Sequence, residues 1–177
     1  MNAIRIKPGQ QAETALAIER LVSAARVQFA VDPPDAEFDA DCWEISSWNP
    51  RTTTTSYRLF FTRYGNLQQP LPSIYANVIK SWLVLERRTS VTHLWTKLEA
   101  ARLLWEAILA RRKPQAEAFS WESLCEEDLQ QAELLMREKW KLSSVYQNAL
   151  RLAGLAGFLA TRGICRPLYY SPQTPRP

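Results

Sequence analysis

Side chains able to do covalent or redox chemistry are sparse in this chain. Its one histidine, His93, is followed by Leu94, Trp95 and Thr96, and no second imidazole is present to share a metal or relay a proton. Cys42, Cys125 and Cys165 are odd in number and far apart, which indicates neither a disulfide framework nor a zinc set. Cys125 lacks the His and Asn or Asp company of a thiol nucleophile, and no glycine-rich phosphate loop or triad spacing occurs. No catalytic residue, cofactor or metal is expected. Hydrogen-bond donors and cations do cluster, in two short stretches: Arg87, Arg88, Ser90, Thr92, His93 and Lys97, then Lys141, Ser143, Ser144, Tyr146, Gln147 and Arg151. Hydroxyls and cations at the start of a helix suit a phosphate, because the first turn's unpaired N–H groups and the dipole both favour an anion. Gln147 and Arg151 are also side-chain types that read adenine and guanine in a major groove.

The charge distribution agrees with that placement. The chain of 177 residues carries a net +4, of which the first 72 residues contribute −1 and the rest +5. A 46% hydrophobic content is enough for a real core. The N-terminus has no basic-then-apolar signal segment, and no apolar run is long enough to span a bilayer. A soluble protein in a reducing cytoplasm, associated with the nucleoid and with no membrane partner, is the expectation.

The elements that must carry the two clusters follow from periodicity. From Gly9 to about Ala30, apolar Leu16, Ile18, Leu21, Val22, Ala25 and Phe29 recur at helical spacing. Asp32-Pro33-Pro34-Asp35 breaks that pattern. Residues 42–48 and 56–62, aromatic and β-branched, flank Asn49-Pro50-Arg51 and a Thr run and predict a hairpin with Trp43, Ile45 and Ser47 on one strand and Tyr57, Leu59 and Phe61 on the other forming its covered face. Turn residues around Tyr64–Pro72 put a domain boundary near 72.

Four helices are then predicted. The first, about 73–86, is opened by Ser73 as cap. The second, about 90–111, carries a stripe that includes Trp95 and Trp105 and, with Trp82, forms a core tryptophan row. On this second helix Thr92, His93, Thr96, Lys97 and Ala100 fall on the opposite, outward side. The third, about 126–139, is opened by acids and closed by Arg137 and Lys139, matching the dipole. The fourth runs from Ser143 or Ser144 to Arg162, stops at Gly163, and is so apolar that it should be central. Its Gly154 and Gly157 predict a close helix crossing. The proline-containing tail, 164–177, reads as an extended linker.

Two segments carry a resemblance. FSWESLCEEDLQQAELLMREK is similar to the third helix of the core-binding domain of tyrosine recombinases of the phage-integrase type, with Cys125 where Thr or Ser is the commoner cap. SSVYQNALRLAGLAGFLATRGICRP is similar to that domain's fourth helix and the Pro-containing linker after it. The resemblance covers about 73–177. It implies a mainly α protein: a SAM-like four-helix core-binding bundle over 73–163, an appendage of helix and β-hairpin over 1–72, and a linker, 164–177, toward a catalytic domain. It also implies half of a clamp on recombination-site duplex DNA, with the second and fourth helices against the major groove. Partners would be double-stranded DNA, the chain's own catalytic domain and sister recombinase subunits. The family's catalytic Arg, Lys, His-x-x-Arg and Tyr set is not visible here, so the expectation is a DNA-binding part of a site-specific recombinase, without activity of its own.

Plainer readings stand beside this one. Ser90 and Ser143 are also ordinary helix caps. Arg87, Arg88, Lys97 and Arg151 are equally consistent with a solvated surface, while Arg102 is spaced to pair with Glu99 or Glu106. As a whole the chain also fits a stand-alone helical adaptor for a protein partner; an independent enzyme fits least.

Overall fold

The computed structural model describes residues 8–49, 56–87, 91–112 and 119–177. Arg88, Ser90 and the turn of the expected hairpin lie outside them. The first helix, α1 (Pro8–Val31), turns Leu21, Ala25 and Phe29 inward at spacings of three and four and leaves Leu16 exposed. It ends where Pro33 and Pro34 deny the chain two backbone donors.

The hairpin forms in shorter pieces than expected. Strand β1 (Cys42–Glu44) pairs antiparallel with β2 (Arg58–Phe60), Trp43 opposite Leu59. Ser46–Trp48 is a 3-10 turn rather than strand. The alternation holds for Trp43, Ile45, Leu59 and Phe61, which are buried, but Ser47 is exposed because the chain has left the strand for the 3-10 turn, and Tyr57 is half-buried. The stretch read as punctuation forms a second ribbon, β3 (Thr62–Arg63) against β4 (Asn66–Pro70), turned at Gly65 with φ of 75°.

Helix α2 (Ser73–Leu85) is preceded by Pro72 at the cap position, so Ser73 sits inside the first turn rather than capping it. Helix α3 (Val91–Arg111) follows, then α4 (Glu126–Lys139) and α5 (Leu142–Thr161). A mainly helical chain with small antiparallel ribbons is therefore what folds.

The central helix is α3, not α5. It packs on α2, α4, α5 and β3, and every residue from Lys97 to Trp105 is buried. Its polar residues are accommodated locally. Arg102 pairs with Glu99 at 2.6 Å, as its spacing suggested, and donates to the Thr62 and Arg63 carbonyls at 2.8 and 2.7 Å. At its C-terminal end, Arg111 and Arg112 both pair with the fully buried Asp128 of α4. Asp128 also accepts from the backbone N–H of Cys125, the cap residue of α4, at 3.1 Å.

α5 buries Val145, Ala149, Leu152, Leu155 and Leu159 against this centre. Its Gly154 and Gly157 are exposed, and an added Cβ at either would meet nothing within 4 Å, so no helix among the described residues crosses closely there. The core cluster runs from Leu21 to Cys165, so elements on both sides of residue 72 share it. The tail has neither helix nor strand, yet it is docked. Glu133 of α4, 1% exposed, accepts from the backbone N–H groups of Gln173 and Thr174 at 3.0 and 2.5 Å, and from the Tyr170 hydroxyl at 2.8 Å.

Candidate nucleic-acid interface

The two donor clusters meet in part. α2 ends at Leu85, α3 begins at Val91, and the first turns of α3 lie beside the first half of α5. His93 and Lys97, one helical turn apart on α3, and Gln147 and Arg151, one turn apart on α5, line a single cleft of about 320 Å³. Trp82 and Leu150 form its apolar walls, Gly154 leaves it open at one side, and Glu86 adds a carboxylate.

Lys97 is not an outward-facing residue. Its side chain is buried, with Nζ 4.7 Å from the centre of the Trp82 ring, so its stem packs and its ammonium is stabilised by a π face. Ala100 is buried as well, and Trp95, assigned to the core by its spacing, is 51% exposed. The outward face of α3 is thus rotated from the expected one. Trp95 and Thr92 border a second, larger groove of about 630 Å³, whose other wall is formed by Ile45 and Tyr57–Phe60.

Arg87 is occupied. It pairs with Asp32 at 2.6 Å and lies 4.3 Å over the Trp48 ring, which binds the end of α2 to the end of α1 and removes a free cation from the proposed surface. The first turn of α5 does present donors: Lys141, Ser143, Ser144 and Gln147 are exposed and Tyr146 is half-buried. Lys141, not a serine, holds the cap position, with no side-chain cap bond, so Ser143 and Ser144 lie within the first turn with their hydroxyls not committed to capping.

Arg151 is the unusual member. Its Nη1 donates to the Gln147 carbonyl at 2.7 Å, whereas its Nε is enclosed and meets no acceptor. Burial lowers its pKa from the ordinary arginine value, and no carboxylate acts against that. In contrast, burial pushes all three thiols up, Cys165 to about 11, opposite to what a thiolate nucleophile needs.

Sequence reasoning missed Trp82 and Glu86 as cleft residues. Glu86 directly follows the last residue of α2, one turn beyond Trp82, and that spacing was the available signal. It also missed the Trp95 groove, because heptad spacing in a helix does not say which of two adjoining stripes is covered. No helix among the described residues is long and apolar enough to cross a membrane. No protein-family model, curated protein or solved structure matches this chain.

Proposed function

We propose that the chain is the DNA-binding, N-terminal part of a site-specific tyrosine recombinase, gripping recombination-site duplex DNA while cleavage belongs to a separate catalytic domain. The observation that carries this reading is the convergence of His93 and Lys97 with Gln147 and Arg151 on one cleft, flanked by the exposed donors that open α5. Lys97 and Gln147 stand 50 positions apart in the sequence. Their meeting is what a surface shaped for one polyanion requires.

In this reading Lys141, Ser143 and Ser144 fix position on the phosphate backbone, and Gln147 reaches base edges. Lys97 acts from behind, as a charge under the surface and not as a direct contact. Arg87 is withdrawn from the set.

Duplex binding measured across salt tests it. Affinity should fall steeply between low and physiological salt as displaced counterions return. Lys141→Glu with Gln147→Ala should weaken binding about 10-fold or more without changing the melting temperature, since both side chains are exposed. A salt-insensitive or absent interaction overturns the reading. The exposed Trp95 beside the 630 Å³ groove favours a second one, an adaptor for a protein partner, which a salt-insensitive interaction would support.

A further inference from the structure

The cleft between α3 and α5 contains a specific electrostatic defect. Among the described residues the buried and half-buried arginines Arg63, Arg87, Arg102 and Arg112 are matched by Glu106, Asp32, Glu99 and Asp128, while Arg162 lies over the Phe158 ring at 3.7 Å. Arg151 has only the Gln147 carbonyl, and its Nε–H points to no acceptor. Glu86 lines the same cleft, but no hydrogen bond or ion pair joins it to Arg151. A donor left unpaired in an enclosed place costs about 1–3 kcal/mol, and more for a charged group. A water molecule could accept from Nε but would leave the charge unmatched.

We propose that this cleft is a seat for one phosphate-type oxyanion, held by the guanidinium edge of Arg151, with Gln147 as a neutral donor and Lys97 as a fixed charge behind it. The chemistry requires an acceptor with negative charge, because the guanidinium is a delocalised cation that lines the cleft and no carboxylate acts on it. The cleft's 320 Å³ is about ten times the ~30 Å³ share of a liquid water, enough for a phosphate and its remaining hydration. The wall formed by Trp82 and Leu150 excludes bulk water from one side and so strengthens the pairing. The phosphate could be free or part of a nucleic-acid backbone, so the inference does not depend on the duplex reading.

The test follows the Arg151 Nε–H resonance in the full chain, labelled with ¹⁵N, at pH 6 and constant ionic strength kept with chloride. Arg151→Lys identifies the resonance by its absence. Inorganic phosphate is titrated first, then a short DNA duplex. A saturable shift of that resonance with phosphate, together with a loss of phosphate affinity of about 10-fold or more in Arg151→Met measured by calorimetry, is the expected result. A shift with duplex alone assigns the seat to a backbone phosphate. A resonance unmoved by both overturns the proposal. Duplex binding that leaves it unmoved overturns the seat while leaving DNA binding intact. Phosphate binding there with no duplex affinity supports the seat and defeats the DNA reading. Should Arg151→Met fail to fold, the wild-type titration decides alone.

Discussion

Asp128 is the group whose removal should cost the fold most for one atom changed. It is fully buried, pairs with Arg111 and Arg112 at the end of α3, and accepts the backbone N–H of Cys125 that opens α4. Asp128→Asn keeps the size and one carbonyl oxygen, so the cap bond survives while both ionic partners lose their anion. Removing one partner of a buried ion pair costs about 3–5 kcal/mol. The arginine side chains, 33% and 18% exposed, can regain part of their hydration, which argues for the lower end, about 3 kcal/mol. At about 2–4 °C per kcal/mol for a chain of this size, the melting temperature should drop by about 6–12 °C. Asp128→Ala should cost about 1 kcal/mol more, the worth of an N-cap. Arg111→Ala or Arg112→Ala alone should cost much less, because the remaining arginine still holds the carboxylate, and the double variant should exceed the sum of the singles. Urea unfolding at pH 7 measures each. A loss under about 1 kcal/mol in Asp128→Asn, or strict additivity of the arginine variants, would refute the two-armed clamp.

Other consequences are open to measurement. Lys80 is buried among Phe38, Trp43 and Phe61, and burial pulls its pKa down to about 8 from 10.5 against the opposing pull of Asp39 and Asp41. A lysine whose folded pKa lies below its unfolded one penalises the fold while charged, so stability should rise as pH climbs from about 8 toward 10.5, and Lys80→Met should flatten that rise. Glu133→Gln should speed hydrogen exchange at Gln173 and Thr174 and proteolysis of the tail while exchange in α3 stays unchanged; equal protection in both proteins would disprove the carboxylate anchor. Gly154→Ala and Gly157→Ala should each raise stability by about 0.5–1 kcal/mol, since an added Cβ meets open space at a helical position, and a loss in either would mean a neighbour covers that face.

Helix positions were legible in the sequence to within a residue or two because their limits are local chemistry: Pro33 after α1, the acids in the first turn of α4, Gly163 after α5. Which face each helix covers was less legible. Counting Lys97 as outward is sound for a helix with one wet side, but α3 is enclosed by α2, α4, α5 and β3, and its charges are met inside by Trp82, Glu99 and the β3 carbonyls. The glycines of α5 resembled a crossing point because glycine inside a helix usually has a packing reason, and here the space beside them is open. Proline content made the tail look like a free linker, since composition does not reveal that a carboxylate forty residues earlier collects its N–H groups.

The same distinction governs the charge argument. A surplus of +5 after residue 72 suggests a polyanion surface only if the cations are unmatched. In the fold Arg87 is spent on Asp32, Arg111 and Arg112 on Asp128, Arg137 on Glu133 and Arg166 on Glu126, so these five are held against the protein's own acids, which the net charge already counts. Net charge therefore gives the size of the surplus but not its place, which the cations that no carboxylate faces mark out. Arg151 stands one turn from Gln147 and across a cleft from His93, where the sequence had placed donors for an anion on separate grounds. A half-buried guanidinium that no carboxylate acts on, with its Nε unpaired, is a stronger indication of an anionic ligand than several arginines on a wet face, because partial burial of an unmatched charge costs stability that a ligand would restore.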